Sequence, residues 1–263
     1  MDIFQNVAVV LRTYNNNADT VKSVSRALKN GAGLVIVVVN ASDEATRGNV
    51  RAWLAGLKQA NERRLVIIEM NEGYSWCNAL NVAFAHIRQH NRCAHIRSEQ
   101  VIDFVVGCSN EVLWERSHLE AMLVEANTSS CIGVVGTSFE GRENGNVVDL
   151  GTSYVHPRNT FMLIRWEAFL AVGHFDAVCD GLGGMEDLHF IMNMMLCGNF
   201  VWKHLDLNIR LIVGKNHNQG VKEARELDAM RKMVKYFRDV VDGISELVER
   251  VESTLLFFKI SGL

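Results

Sequence analysis

The sequence contains a single proline, Pro157, in 263 residues, which excludes a proline-rich linker or docking tail. Long apolar runs are lacking near its start, where only five apolar residues occur in a row, Val7 to Leu11, and an acid, Asp2, precedes them. A signal peptide needs a longer apolar segment, and a membrane span needs about 20 apolar residues. The pattern therefore predicts neither of them, and we expect no transmembrane segment.

Neither sign of charge is in large excess. The chain has 27 Lys and Arg against 30 Asp and Glu, a formal net charge of −3 at pH 7. A strongly basic surface for general nucleic-acid binding is therefore not indicated. The hydrophobic content of 48% and charged content of 22% are ordinary for a soluble globular protein. The length suits one large α/β domain, or one domain plus an appendage.

Closely spaced cysteines and histidines are also lacking. The six cysteines form no C-x-x-C pair, and the nine histidines show no H-E-x-x-H spacing. This indicates reduced, mostly buried thiols rather than a disulfide framework or a zinc site, and it predicts a cytoplasmic protein. The cysteines are Cys77, Cys93, Cys108, Cys131, Cys179 and Cys197.

The first half of the chain alternates short β-branched runs with helical patterns. Continuous apolar runs of strand length occupy 7–11, 34–39, 64–70, 102–106 and 132–136. Apolar residues recur at steps of three and four in 18–30, 44–60, 75–90 and 112–126. The alternation predicts right-handed βαβ units, a mainly parallel Rossmann-like sheet with helices on both faces, and a ligand site at the carboxyl ends of the strands.

The second half is less regular. Residues 137–160 are polar and rich in Gly and Asn, which predicts a hairpin or a mobile loop near a site. A strand and a short helix in 159–173 follow, and a further strand lies in 200–214. We expect the α/β domain to span residues 1–220.

From about residue 221, ten apolar residues alternate steps of three and four between Leu227 and Phe258. This stripe predicts a C-terminal amphipathic helix or helical hairpin over 221–263. The periodicity indicates a buried stripe but not the surface that buries it. The stripe either packs on its own domain or forms a homodimer interface through residues 227–258.

The segment GLGGMEDLHF, residues 181–190, places two adjacent acids, Glu186 and Asp187, directly behind a glycine run. Apolar spacing puts both acids in the first turn of a helix, where the helix dipole favours negative charge. Solvated first-turn charges explain the pair equally well. The glycines instead favour a close backbone approach to a ligand, with the two acids at the lip of a cleft.

The surrounding segment, residues 161–200, resembles the second half of family-2 inverting glycosyltransferases of the GT-A fold. Their pattern is a strand, an Arg-led short helix, Gly-x-Phe-Asp, a glycine-containing loop, a Glu-Asp pair and a helix ending in Gly. The matching residues are Arg165, Gly173, Phe175, Asp176, Gly184, Glu186, Asp187 and Gly198.

The front half is similar to the same family more loosely, so that the resemblance covers about residues 5–218. VAVVLRTYNN is similar to its opening strand and Thr-Tyr-Asn turn. VVVNASDEAT stands where the family has an Asp-rich turn, and NEGYSWCNALNVAFA is similar to its Asn-x-Gly … Ala-x-Asn segment. The resemblance implies a nucleotide-sugar site at Thr13, Tyr14, Asn15, Asn40, Ser42, Gly73, Asn81 and Ser109.

The resemblance also implies the reaction. A sugar would move from a UDP- or GDP-linked donor to a hydroxyl acceptor with inversion, and the acceptor would be a saccharide, a lipid-linked intermediate, a protein or a modified nucleic acid. Such a transfer needs a base for the acceptor hydroxyl and stabilisation of the departing diphosphate. The acidic pair supplies the base in this family, which predicts Asp187 as the base and Glu186 as the group that orients it or holds the acceptor.

One family motif is altered. The metal-binding Asp-x-Asp position reads Gly107-Cys108-Ser109, and a serine hydroxyl is a weak ligand for a hard divalent cation. Three explanations remain open. Glu111 and His217 hold Mn²⁺ or Mg²⁺ together with water and diphosphate oxygens; or Arg or Lys side chains neutralise the diphosphate without metal; or catalysis is lost and the chain is a sugar-nucleotide or glycan-binding module.

Overall fold

The computed structural model describes ten segments of the chain. They are residues 4–13, 17–40, 44–70, 76–97, 99–110, 112–139, 147–149, 153–155, 161–176 and 186–211. The predicted C-terminal extension over 221–263 and the predicted dimer interface over 227–258 lie outside these residues, so both stay predictions. None of the helices in the described segments is long and apolar enough to cross a membrane.

The strands and helices alternate as the sequence predicts. The strands are β1 (Val7–Thr13), β2 (Leu34–Asn40), β3 (Leu65–Met70), β4 (Phe104–Ser109), β5 (Val112–Leu113), β6 (Ile132–Phe139), β7 (Val147–Asp149), β8 (Ser153–Val155), β9 (Phe161–Arg165) and β10 (Val201–Leu211). The helices are α1 (Asn17–Lys29), α2 (Glu44–Ala60), α3 (Trp76–Arg97), α4 (Arg116–Asn127), α5 (Trp166–Val172) and α6 (Glu186–Gly198).

Eight strands form one mainly parallel sheet in the order β3-β2-β1-β4-β9-β6-β10-β5. β1, β2, β3 and β4 pair in parallel, and β10 pairs in parallel with β6. β9 runs antiparallel between β4 and β6, and the short β5 runs antiparallel to β10. β7 and β8 form a separate antiparallel pair within 137–160, where the sequence predicts a hairpin or a mobile loop.

Helices cover both faces of the sheet, as predicted, because the central strands bury alternate residues on opposite sides. Ala8 and Val10 of β1 pack in a core with α3, α5 and α6. Val7, Val9 and Leu11 pack in a second core with α1, α2 and α4. We call these the α6 face and the α1 face of the sheet.

The main departure from prediction is the helix expected over 112–126. The structure instead has the two-residue strand β5 at Val112–Leu113, and α4 begins at Arg116. Leu113 and Val112 pair with Arg210 and Leu211 of β10, almost a hundred residues later, so local periodicity could not indicate this strand. The third helix is also longer than the predicted 75–90, since α3 continues to Arg97.

Candidate active site

The carboxyl ends of β1, β2 and β4 place three polar residues on the α6 face of the sheet. Arg12 of β1 is the register partner of Ser109 on β4 and of Val38 on β2. Partners in neighbouring parallel strands project to the same face, and Arg12 follows Val10 at the two-residue period of a strand. Asn40 follows Val38 on β2 in the same way. Arg12, Asn40 and Ser109 therefore lie on the α6 face of the sheet, at the carboxyl ends of its parallel strands.

The acidic pair reaches the same place from the other half of the chain. Nη1 of Arg12 donates to Oε1 of Glu186 over 3.2 Å, an ion pair between residues 174 positions apart. Arg12 is 8% exposed, Glu186 6% and Asp187 7%. The explanation of the two acids as solvated first-turn charges is therefore wrong, because both acids are buried and Glu186 pairs with a guanidinium.

The carboxylate of Asp187 also has a fixed orientation. The backbone N–H of Leu188 donates to Oδ1 of Asp187 over 2.8 Å, as expected for an acid in the first turn of a helix. Leu188 is itself buried in the core of the α6 face. The packing of α6 on the sheet thus fixes the position of Asp187. The ion pair with Arg12 fixes the neighbouring Glu186.

The two buried carboxylates affect each other's proton affinity. Burial raises the pKa of Glu186, the negative charge of Asp187 raises it further, and Arg12 opposes both, leaving a pKa of about 7. Two adjacent buried carboxylates are costly to ionise together. This arrangement can therefore hold or exchange a proton near neutral pH, as an acid–base site must.

Arg12 is the site residue that the sequence analysis missed, because the predicted binding residues began at Thr13. A signal for it was present: a charged residue stands at the carboxyl end of the apolar run VAVVL, where the side chain of a buried strand meets a ligand edge. A buried arginine requires a partner, and nothing in the local sequence shows that Glu186 supplies it.

Thr13 projects to the opposite, α1 face and belongs to a buried hydrogen-bond network. The hydroxyl of Thr20 donates to that of Thr13 over 2.7 Å, and Nδ2 of Asn110 donates to Oγ1 of Thr20 over 3.1 Å. The hydroxyl of Ser23 donates to the carbonyl of Asn110 over 2.8 Å. This network ties α1 to the ends of β1 and β4, and so fixes the edge that carries Arg12 and Ser109.

Asn81 of α3 holds the segment that leads towards the acidic pair. Its Nδ2 donates to the carbonyl of Phe175, and the N–H of Phe175 donates to its Oδ1, both over 2.7 Å. The Phe175 ring is buried and stacks on Phe190 of α6, with ring centroids 4.8 Å apart. Asn81 therefore supports the position of α6, whereas a contact between Asn81 and a nucleotide stays a prediction.

Two other positions of the resemblance have architectural roles. Gly173 ends α5 with a φ of 91°, in the left-handed region that favours glycine. Nε of Arg165 donates to the carbonyl of Ile132 over 2.9 Å, at the end of the sheet opposite the acidic pair.

The end of β4, where the resemblance places the Asp-x-Asp motif, offers no carboxylate to a divalent cation. Ser109 offers only a hydroxyl. The side chain of Asn110 donates a hydrogen bond from Nδ2 to Oγ1 of Thr20. Cys108 is buried in the core of the α1 face with its register partner Leu11, on the opposite side of the sheet from Ser109. Within the described segments, no group of three or more His, Cys, Asp or Glu could hold a metal ion.

Several predicted site residues lie outside the described segments. They are Tyr14, Asn15, Ser42 and Gly73 of the predicted nucleotide-sugar site, and Glu111 and His217 of the predicted metal site.

Comparison with known proteins gives matches in structure alone. No protein-family model matches the chain, and no curated protein matches it in sequence. The mannosyltransferase PcManGT from Pyrobaculum calidifontis, solved with GDP-Man and Mn²⁺, matches with a TM-score of 0.66 and 16% identity over 98% of this chain and 76% of that one.

A second match is glucosyl-3-phosphoglycerate synthase from Mycobacterium tuberculosis, solved with Mn²⁺, UDP and phosphoglyceric acid. It has a TM-score of 0.56 and 13% identity over 86% of this chain and 78% of that one. The same enzyme solved with Mg²⁺ and UDP matches with a TM-score of 0.53 and 11% identity over 86% of this chain and 78% of that one. The chain therefore has the GT-A fold of glycosyltransferases, as its sequence predicts, while membership of family 2 stays a prediction.

Proposed function

We propose that this protein is an inverting glycosyltransferase that moves a sugar from a UDP- or GDP-linked donor to a hydroxyl acceptor, with Asp187 as the general base. The observation that carries the proposal is the burial of Asp187 and Glu186 beside Arg12, at the carboxyl edge of the sheet of a GT-A fold. In open α/β sheets this edge is where ligands bind.

In the proposed reaction, Asp187 accepts the proton of the acceptor hydroxyl while that oxygen forms a bond to the anomeric carbon. The bond from the anomeric carbon to the diphosphate oxygen breaks on the opposite side, and the nucleoside diphosphate leaves with the electron pair. The backbone N–H of Leu188 fixes the orientation of the Asp187 carboxylate, which favours Asp187 as the base. Glu186 then orients Asp187 or holds the acceptor.

The nucleotide end of the donor is assigned to the ends of β1, β2 and β4. Asn40 and Ser109 project from this edge beside Arg12, and Thr13 supports it from the other face. Tyr14, Asn15, Ser42 and Gly73 complete the proposed site. The donor class is supported by the two structural neighbours, which were solved with GDP-Man and with UDP.

The neighbours were also solved with Mn²⁺ or Mg²⁺, whereas no group of three or more His, Cys, Asp or Glu in the described segments of this chain could hold such an ion. Glu111 and His217 are the proposed ligands if a cation accompanies the donor. No step of the proposed reaction depends on that cation.

Calorimetry with a panel of UDP- and GDP-sugars, together with assays of sugar transfer and donor hydrolysis, tests the proposal. Each measurement is made with Mn²⁺, with Mg²⁺ and with EDTA. We expect one donor to bind and to be turned over. Binding without turnover under every metal and acceptor tried would instead identify a catalytically impaired sugar-nucleotide module. Binding of glycans but of no nucleotide sugar would identify a glycan-binding module.

A further inference from the structure

The positive charge of Arg12 lies at the carboxyl edge of the sheet, beside Ser109 of the altered Asp-x-Asp motif. We propose that Arg12 binds the diphosphate group of the donor, and that Glu186 is the counter-ion whose place the diphosphate takes. This inference rests on the proposed function for the class of donor. It adds a binding group that the sequence motifs do not contain.

Arg12 lies next to Ser109 in the sheet. Its Cα is in register with that of Ser109, and neighbouring strands lie about 4.8 Å apart, so both side chains project from adjacent points of the same face. Ser109 stands at the third position of the altered Asp-x-Asp motif and offers a neutral hydroxyl. Beside it, Arg12 offers a permanent positive charge, which a diphosphate needs and a hydroxyl does not supply.

The guanidinium of Arg12 can bind a phosphate group as well as the carboxylate of Glu186. A guanidinium has five N–H donors in a planar fork, and it binds phosphate oxygens as readily as carboxylate oxygens. Nη1 of Arg12 contacts Oε1 of Glu186 over 3.2 Å, longer than the strongest charge-assisted bonds. A diphosphate carries more negative charge than one carboxylate and competes well for this group.

The charges around Glu186 also favour exchange of its carboxylate for another anion on Arg12. Glu186 and Asp187 are two adjacent buried carboxylates, and Glu186 is paired with Arg12. Burial and the negative charge of Asp187 keep the pKa of Glu186 at about 7 in spite of Arg12. The attraction of Arg12 therefore does not offset the cost of ionising Glu186 there. Glu186 stays beside Asp187 when a diphosphate binds Arg12, so loss of its pairing with Arg12 raises its pKa further and favours the protonated form, which needs no counter-ion.

Calorimetry on four proteins tests the proposal: the wild type, Arg12→Gln, Glu186→Gln and the double variant. The ligands are UDP, GDP, inorganic pyrophosphate, uridine and guanosine, at pH 8 and in EDTA. We expect Arg12→Gln to weaken diphosphate binding roughly 10- to 100-fold, as for loss of a charged hydrogen-bond donor, and to leave nucleoside binding unchanged. Glu186→Gln should strengthen diphosphate binding roughly 3- to 10-fold because it removes the competitor.

The double variant separates direct binding from support of Glu186. If Arg12 contacts the diphosphate, the double variant binds as weakly as Arg12→Gln. If Arg12 acts only by holding Glu186, the double variant binds the diphosphate more tightly than Arg12→Gln does. That result would show that the proposal is wrong. The double variant also leaves neither member of the ion pair as an uncompensated buried charge, so it stays informative if Arg12→Gln fails to fold. Arg64→Gln is the matched control, since Arg64 donates to the carbonyls of Leu28 and Ala32 within the fold.

Failure of this inference is distinguishable from failure of the proposed function. Pyrophosphate and nucleoside diphosphates are bound without any transfer step, so absence of turnover would contradict transfer but not the role of Arg12. Normal turnover and normal diphosphate affinity in Arg12→Gln would contradict the role of Arg12 and leave transfer standing. A wild-type chain that binds neither pyrophosphate nor a nucleoside diphosphate would contradict this inference.

Discussion

Two arginines lie at opposite ends of the same sheet and have different partners. Arg12 ends β1 on the carboxyl edge and pairs with the carboxylate of Glu186. Arg165 ends the antiparallel strand β9 and is the register partner of Phe104, the first residue of β4. Its guanidinium donates to the carbonyls of Ala126 and Ile132, and it lies 5.0 Å from the Phe104 ring centroid.

The partners show what each arginine can do. Backbone carbonyls are neutral and fixed by the fold, so Arg165 can lose them only if α4 and β6 move. A carboxylate with a raised pKa can be protonated or replaced by another anion while the fold is kept. Arg165 therefore joins structural elements, whereas Arg12 is suited to ligand binding.

Asp187→Asn should lower the rate of sugar transfer roughly 10³-fold, because an amide cannot accept the proton of the acceptor hydroxyl. Donor affinity should stay within a few-fold, since the side chain keeps its size and its carbonyl oxygen. Steady-state kinetics and calorimetry with the donor check both expectations. Asp103→Asn is the matched control, because Asp103 accepts a hydrogen bond from Asn6 at the other end of the sheet. Transfer at a near-normal rate by Asp187→Asn would show that another group is the base.

Arg165→Gln should lower the free energy of unfolding by about 3 kcal/mol, because it removes charged hydrogen bonds and leaves buried carbonyls without their donor. The affinity of the folded variant for a nucleoside diphosphate should not change. Urea denaturation and calorimetry measure the two quantities. A large loss of diphosphate affinity with little loss of stability would contradict the division of roles between Arg165 and Arg12.

Glu186→Gln should change how stability depends on pH. The pKa of Glu186 is raised from 4.5 to about 7, so the native state binds this proton more tightly than the unfolded state. The resulting contribution to the free energy of unfolding is fully present below about pH 4.5, and is lost as the pH rises through about 7. Between pH 4.5 and 8 the wild type should therefore lose up to about 3 kcal/mol relative to the variant.

Urea denaturation of both proteins at several values of pH measures this difference. Glu167→Gln, which changes an exposed acid on α5, is the control for loss of one acidic side chain at the surface. A constant difference between Glu186→Gln and the wild type across this range would show that the pKa of Glu186 is not raised.

The sequence predicts the central strands well because their burial is a local property. LVIVVV is apolar at every position since β2 is covered on both faces, and such a run is visible without any knowledge of the partners. The site is predicted only in part. Glu186 and Asp187 are conspicuous as a pair, but the partner of Glu186 is Arg12, which lies 174 residues away. The same limit hid β5, whose partners Arg210 and Leu211 come almost at the end of the described chain.

Asn81→Ala should have the smallest effect of these variants. It tests whether Asn81 supports α6 or contacts the donor. It removes two hydrogen bonds to the backbone of Phe175, each worth about 1 kcal/mol, so the free energy of unfolding should fall by about 2 kcal/mol. Because this contact supports α6, the rate of transfer should fall roughly 10-fold, as for a base displaced from its position. Kinetics and urea denaturation separate this role from nucleotide binding. A loss of nucleoside affinity larger than the loss of rate would instead place Asn81 in contact with the donor, as the sequence resemblance predicts.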